Sequence, residues 1–115
     1  MRLSITISTC LLLLASQPVL AAWAVAQSGN GQPFVQRFRT PDMARDAVLE
    51  ACGQSYQSCR VVIEGGSGCV AIATTGSQWG VAKAGMKQRA SAAALGVCEG
   101  LGAGPCRIEH EFCGQ

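Results

Sequence analysis

One histidine, a set of spaced cysteines and a group of cations are the residues here that could do chemistry. His110 is the single histidine and stands between Glu109 and Glu111. An imidazole beside a carboxylate is a usual arrangement for a general base, so a small hydrolase would draw on His110 with Glu64, Glu109 or Glu111. No nucleophile pattern joins it, since G-x-S-x-G does not occur. Strand alternation would place Ile108, His110 and Phe112 on one inner face and Glu109 and Glu111 on a solvated one. That pattern points to a partly buried, satisfied histidine rather than to a base, and no catalytic residue is assigned.

The cysteines number seven. Cys10 falls in an N-terminal stretch with the character of an export signal: Met1-Arg2, then an apolar run from Leu3 to Ala15, then Val19-Leu20-Ala21 in the A-x-A manner. Cleavage is expected after Ala21, with Ala22 as the alternative. The run is short for a membrane span. Thr9 before Cys10 and the apolar run beyond it argue against a lipid anchor. Cys52, Cys59, Cys69, Cys98, Cys106 and Cys113 remain, an even number in a short exported chain, which reads as three disulfides. Their spacings are wider than those of zinc sites, so no metal and no cofactor is expected. Neither Gly65-Gly66-Ser67-Gly68 nor Gly100-Leu101-Gly102-Ala103-Gly104 leads into Gly-Lys-Ser/Thr, so neither is a P-loop.

Nine Lys and Arg, Arg2 among them in the leader, face seven Asp and Glu. This near balance argues against general nucleic-acid binding. The distribution is less even. Arg37 and Arg39 precede one expected helix, and Lys83, Lys87 and Arg89 surround the start of another. Helix N-termini favour anions, so these five cations are candidate binding residues. Trp79, on a β-hairpin like Trp23, is a sixth candidate for a binding face.

The elements that position these residues come in two sets. Ala44-x-x-Ala47-x-Leu49-x-x-Cys52 recurs as Ala90-x-x-Ala93-x-Leu95-x-x-Cys98, and Cys59-Arg60-Val61 recurs as Cys106-Arg107-Ile108. Ala24-Val25-Ala26 likewise recurs as Ala71-Ile72-Ala73. The blocks agree on their offset within one residue, so the chain reads as an internal repeat. Each copy predicts two strands, a helix and a third strand. In the first copy these are Trp23 to Gln27, Pro33 to Phe38 after an Asn30-Gly31 turn, a helix from Thr40-Pro41-Asp42 to Cys52 capped by Gly53, and Arg60 to Glu64. The second copy predicts 69–74, 79–84, a helix over 87–98 and 107–112. The expected helix stripes are Ala44, Ala47, Val48, Ala51 and Ala90, Ala93, Ala94, Val97. One such unit cannot bury its face alone. The expected fold is therefore α+β: a tandem ββαβ repeat over residues 22–66 and 67–115, two short helices on antiparallel sheet about a pseudo-twofold axis, stapled by disulfides. Six cysteines allow fifteen pairings, among which the sequence does not choose; the repeat suggests Cys52–Cys59 and Cys98–Cys106, with Cys69–Cys113 remaining.

Trp23-Ala24-Val25-Ala26, Leu49-Glu50-Ala51-Cys52, Cys69-Val70-Ala71-Ile72-Ala73 and Leu95-Gly96-Val97-Cys98 together resemble the family called domain of unknown function 4189. The resemblance spans the mature chain. It implies a secreted or periplasmic protein and no assigned activity, so it transfers no catalytic residue. Helices of that family commonly open with a small polar residue and an acid. The second helix here departs from this, opening with Met86-Lys87-Gln88-Arg89.

The expectation is an exported binding module, periplasmic or secreted, that engages an anionic ligand or another envelope or secreted protein in the manner of an inhibitor or immunity partner. A structural or stress-related envelope protein is the alternative, and a small hydrolase comes third. Neither a nucleic-acid partner nor a membrane span after signal cleavage is expected.

Overall fold

The computed structural model describes residues 21–114. The expected leader, residues 1–21, lies outside the described residues except for Ala21, and Cys10 lies outside them. The elements run β1 (Ala22–Gln27), β2 (Pro33–Phe38), α1 (Pro41–Ser55), β3 (Arg60–Gly65), β4 (Cys69–Thr74), β5 (Trp79–Ala84), α2 (Lys87–Glu99) and β6 (Arg107–Cys113). They make two three-stranded antiparallel sheets, β2-β1-β3 and β5-β4-β6. The fold is α+β, with two halves of the same ββαβ order.

The central strands are apolar on both faces, and this sets the layering. Ala24 and Ala26 of β1 face α1, while Trp23 and Val25 face the other sheet. Ala71 and Ala73 of β4 face α2, while Val70 and Ile72 meet Trp23 and Val25. The sheets thus pack on each other, and each helix covers an outer face. Where Val70 pairs with Phe112 in one sheet, Trp23 pairs with Gly65 in the other. A Cβ on Gly65 would lie 2.8 Å from the Trp23 ring, so the indole occupies the space beside the glycine.

Thr40 caps α1 by accepting from the Met43 amide at 3.2 Å. The helix does not stop at Gly53. It runs to Ser55, and the Tyr56 N–H closes it onto the Cys52 carbonyl at 2.9 Å. Tyr56 is held there by an edge-on contact with Phe34 and by donating its hydroxyl to Gln32 Oε1 at 2.6 Å.

The buried helix rows are Ala44, Val48, Cys52 and Ala90, Ala94, Cys98. Ala47 and Ala51 are only half-buried, Ala93 is exposed, and Val97 is 49% exposed. The expected stripes are therefore rotated toward the cysteine. Each buried row follows i, i+4, i+8 spacing and ends in the disulfide that ties the helix to the loop before its half's last strand. The disulfides are Cys52–Cys59, Cys98–Cys106 and Cys69–Cys113.

Helix α2 lies very close to β5. A Cβ on Gly80 would come within 2.4 Å of the Ala94 carbonyl oxygen and 2.5 Å of the Cys98 nitrogen. In the first half the same register position holds Phe34, which packs beneath α1.

Both outer strands carry one extra residue. The register of β3 on β1 shifts between Val25 and Ala26, and that of β6 on β4 shifts between Ile72 and Ala73. The added residues are Val62 and Glu109. Such a bulge turns later side chains to the other face. Ile108 consequently packs toward α2 and Phe112 between the sheets. The expected common inner face of Ile108, His110 and Phe112 does not form, and the His110 side chain is 59% exposed rather than buried.

Candidate functional site

The antiparallel registers collect particular segments at one end of the sandwich. Trp23 pairs with both Arg37 and Gly65, and Cys69 pairs with both Ala84 and Cys113. The β2–α1 turn, the β5–α2 turn and the link between the halves therefore share that end. A Cβ on Gly66 would sit 3.7 Å from Pro41 Cγ, and one on Gly68 would sit 3.0 Å from the Ala84 carbonyl oxygen. The link thus touches the approach to both helices, and Gly68 makes its turn at a φ of +80°.

All five cations expected from the sequence belong to this end, and they divide into two kinds. Arg37 and Lys83 occupy matching register positions and reach across between the sheets. The Arg37 guanidinium lies 4.9 Å from the Phe112 ring centroid, and its Nη2 donates to the Cys113 carbonyl at 3.4 Å. Lys83 Nζ donates to the Glu64 carbonyl at 3.4 Å. Arg39, Lys87 and Arg89 are exposed, and none has an ion-pair partner among the described residues.

The start of α2 adds to this field. Its N-cap, Met86, is half exposed and makes no side-chain cap, and no acid lies in the first turn. Its first amides therefore have no capping side chain, and the positive end of the dipole is reinforced rather than offset. Helix α1 differs, with Thr40 as cap and Asp42 in its first turn. Beside the α2 start lies a shallow hollow of about 350 Å³ lined by Ser67, Gly68, Lys83, Ala84 and Gly85. Much of its wall is glycine and alanine backbone, which gave no signal in the sequence.

Trp79 is not brought to this place. It begins β5 at the opposite end, where a Cβ on Gly31 of the β1–β2 turn would lie 4.0 Å from its ring. It packs half-buried in the layer between the sheets, while Trp23 is fully buried there with its Nε1 unpartnered. His110 lies on edge strand β6 with its Nε2 3.7 Å from Glu109 Oε1. Glu64 is engaged by Arg45 of α1, an ion pair that sequence reasoning missed. Among the described residues no cluster of three His, Cys, Asp or Glu could hold a metal, and no helix is long and apolar enough to cross a membrane.

The family described as Domain of unknown function (DUF4189) matches residues 20–113. Nothing among the curated proteins or the solved structures matches the chain.

Proposed function

The chain belongs to the DUF4189 family, and on that premise we propose that it is an exported, disulfide-stabilised binding module whose cation-rich end takes an anionic ligand or an acidic partner protein. The observation that carries this reading is the gathering of Arg37, Arg39, Lys83, Lys87 and Arg89 at one end, beside a helix start without a cap. Unpaired cations at a helix N-terminus lower the helix's own stability, and a negative partner would offset that cost. Three disulfides fit an oxidising compartment, the periplasm or beyond. We read the role as that of an inhibitor or immunity-like partner rather than of an enzyme, since His110 stands on an open strand edge, 59% exposed, and its one ion-pair contact among the described residues is Glu109 at 3.7 Å.

The test is capture from the native cell envelope with the oxidised protein as bait. A specific partner should be recovered and should weaken as salt rises. Lys87→Glu with Arg89→Glu should abolish its recovery while leaving the free protein folded. Recovery of the same partner at the same salt by the double variant refutes the site. Recovery of nothing by either protein favours the structural envelope role.

A further inference from the structure

The layer between the sheets ends, at the cation-rich end, in a row of side chains. One sheet contributes Arg37, Trp23 and Gly65, which pair in register across β2, β1 and β3. The other contributes Lys83, Val70 and Phe112, across β5, β4 and β6. Residues directly opposite in register share a face, so Arg37 is the cross-strand neighbour of the Trp23 indole. That indole is fully buried, and its Nε1 finds no partner among the described residues. A buried donor left unpaired is destabilising, and native folds rarely keep one.

The surroundings show where the N–H points. A Cβ on Gly65 would lie 2.8 Å from Trp23 Cζ2 and 3.2 Å from Cε2, and one on Gly114 would lie 3.4 Å from Cδ1. These ring atoms flank Nε1 along one edge of the indole, so its N–H edge runs between the two glycines. The two cations bracket the same edge. Lys83 Nζ donates to the carbonyl of Glu64, the residue before Gly65, and Arg37 Nη2 to that of Cys113, the residue before Gly114, each at 3.4 Å. Both contacts are long and go to uncharged oxygens. The cover over the edge is backbone, with the Gly114 N–H donating to the Gly68 carbonyl at 2.8 Å. Val70 stands where the second half would need a tryptophan, so each chain has one such place.

We propose that this end of the inner layer binds one small oxyanion, a carboxylate or phosphate group, which accepts from Trp23 Nε1 between Arg37 and Lys83. The donors dictate the class. An indole N–H, a guanidinium and an ammonium only donate, and an ionised carboxylate only accepts. Turning from a carbonyl to an oxyanion gives each cation a charge-assisted hydrogen bond. Gly65, Gly66, Gly68 and Gly114 keep side chains out of the approach. Glu64, the near acid, is already held by Arg45. The inference rests on the reading of this end as the one that takes an anionic group, and it names the atoms that hold that group.

The test follows the two indole N–H resonances of the oxidised, isotope-labelled protein through titrations with acetate, inorganic phosphate and chloride at matched ionic strength. The Trp23 resonance should move saturably with acetate or with phosphate. The Trp79 resonance should stay, and chloride should move neither. A response to acetate alone makes the occupant a carboxylate group, and a response to phosphate alone makes it a phosphate group. Arg37→Gln with Lys83→Gln, both at exposed sites, should weaken binding at least about tenfold. Lys83→Gln alone leaves Arg37 on Phe112, should also weaken binding, and serves if the double variant does not fold. A Trp23 resonance that neither oxyanion moves, or that chloride moves equally, overturns the proposal, and so does binding that neither variant weakens. If envelope capture still depends on Lys87 and Arg89 while the Trp23 resonance is unmoved, only this inner site falls. If both fail, the reading of the cation-rich end falls with it.

Discussion

Arg45 of α1 grips Glu64 of β3 through both carboxylate oxygens, Nε donating to Oε2 at 2.8 Å and Nη2 to Oε1. The matching places in the other half hold Ser91 and Glu111, joined by one donated hydroxyl. The hydrogen bond from Arg45 holds the Glu64 carboxyl below the ordinary glutamate range, against partial burial that pushes it up. The folded chain therefore binds this proton less readily than the unfolded chain. The stabilisation is present above the unfolded value of about 4.3 and is lost as pH falls through the lowered folded value. Both side chains are well open to solvent, at 43% and 35%, so the effect is small. Glu64→Gln should lower the melting temperature by a few degrees at most at neutral pH. The difference from wild type should close in acid, as thermal scans across pH would show.

The three disulfides should differ in worth. Cys69–Cys113 spans a separation of 44 residues, against 7 for Cys52–Cys59 and 8 for Cys98–Cys106. Loop-closure entropy assigns the long one about 4 kcal/mol and each short one about 2.5 kcal/mol. Paired alanine variants compared by denaturant titration should rank in that order, and full reduction should remove most of the stability.

Two glycines should respond with opposite signs. Gly80→Ala drives a methyl into the α2 backbone and should cost about 3 kcal/mol. Gly53 lies inside α1 with open space around it. Gly53→Ala should therefore raise stability by about 0.5–1 kcal/mol. Calorimetry of the two variants measures both.

The helix starts offer a matched pair. Thr40→Ala removes a formed cap and should cost about 1 kcal/mol. Met86→Asp supplies a missing cap and an acid, and should stabilise by a similar amount. If the uncapped start of α2 serves an anionic partner, Met86→Asp should also weaken capture. More stability together with less binding is the outcome expected of the proposed site.

Where strands start and stop was legible, because Pro33, Asn30-Gly31 and Thr40-Pro41 punctuate the chain with residues of fixed backbone habit. The cysteine pairs were only suggested, by the repeat, out of fifteen possible pairings; the structure has the suggested set, two of whose pairs close a helix-to-strand loop. What escaped depends on partners distant in the chain. A single extra residue at Glu109 reversed the faces of β6, and nothing in Arg-Ile-Glu-His-Glu-Phe announces a bulge. Periodicity located each helix but left its face rotated, since alanine is nearly neutral about which side is buried and the cysteine decides. The shared location of the five cations follows from strand direction, whereas Trp79, near them in sequence, begins its strand at the far end.

The pairing of Trp23 with Gly65 and of Val70 with Phe112 puts the bulk on a central strand in one sheet and on an outer strand in the other. Two first halves brought face to face would set indole against indole. Two second halves would leave a void between valines. Each half is thus shaped to accept its unlike sibling and to reject its own kind. The fault this guards against is the docking of like halves from neighbouring molecules, first on first or second on second, during folding while the cysteines are still unpaired.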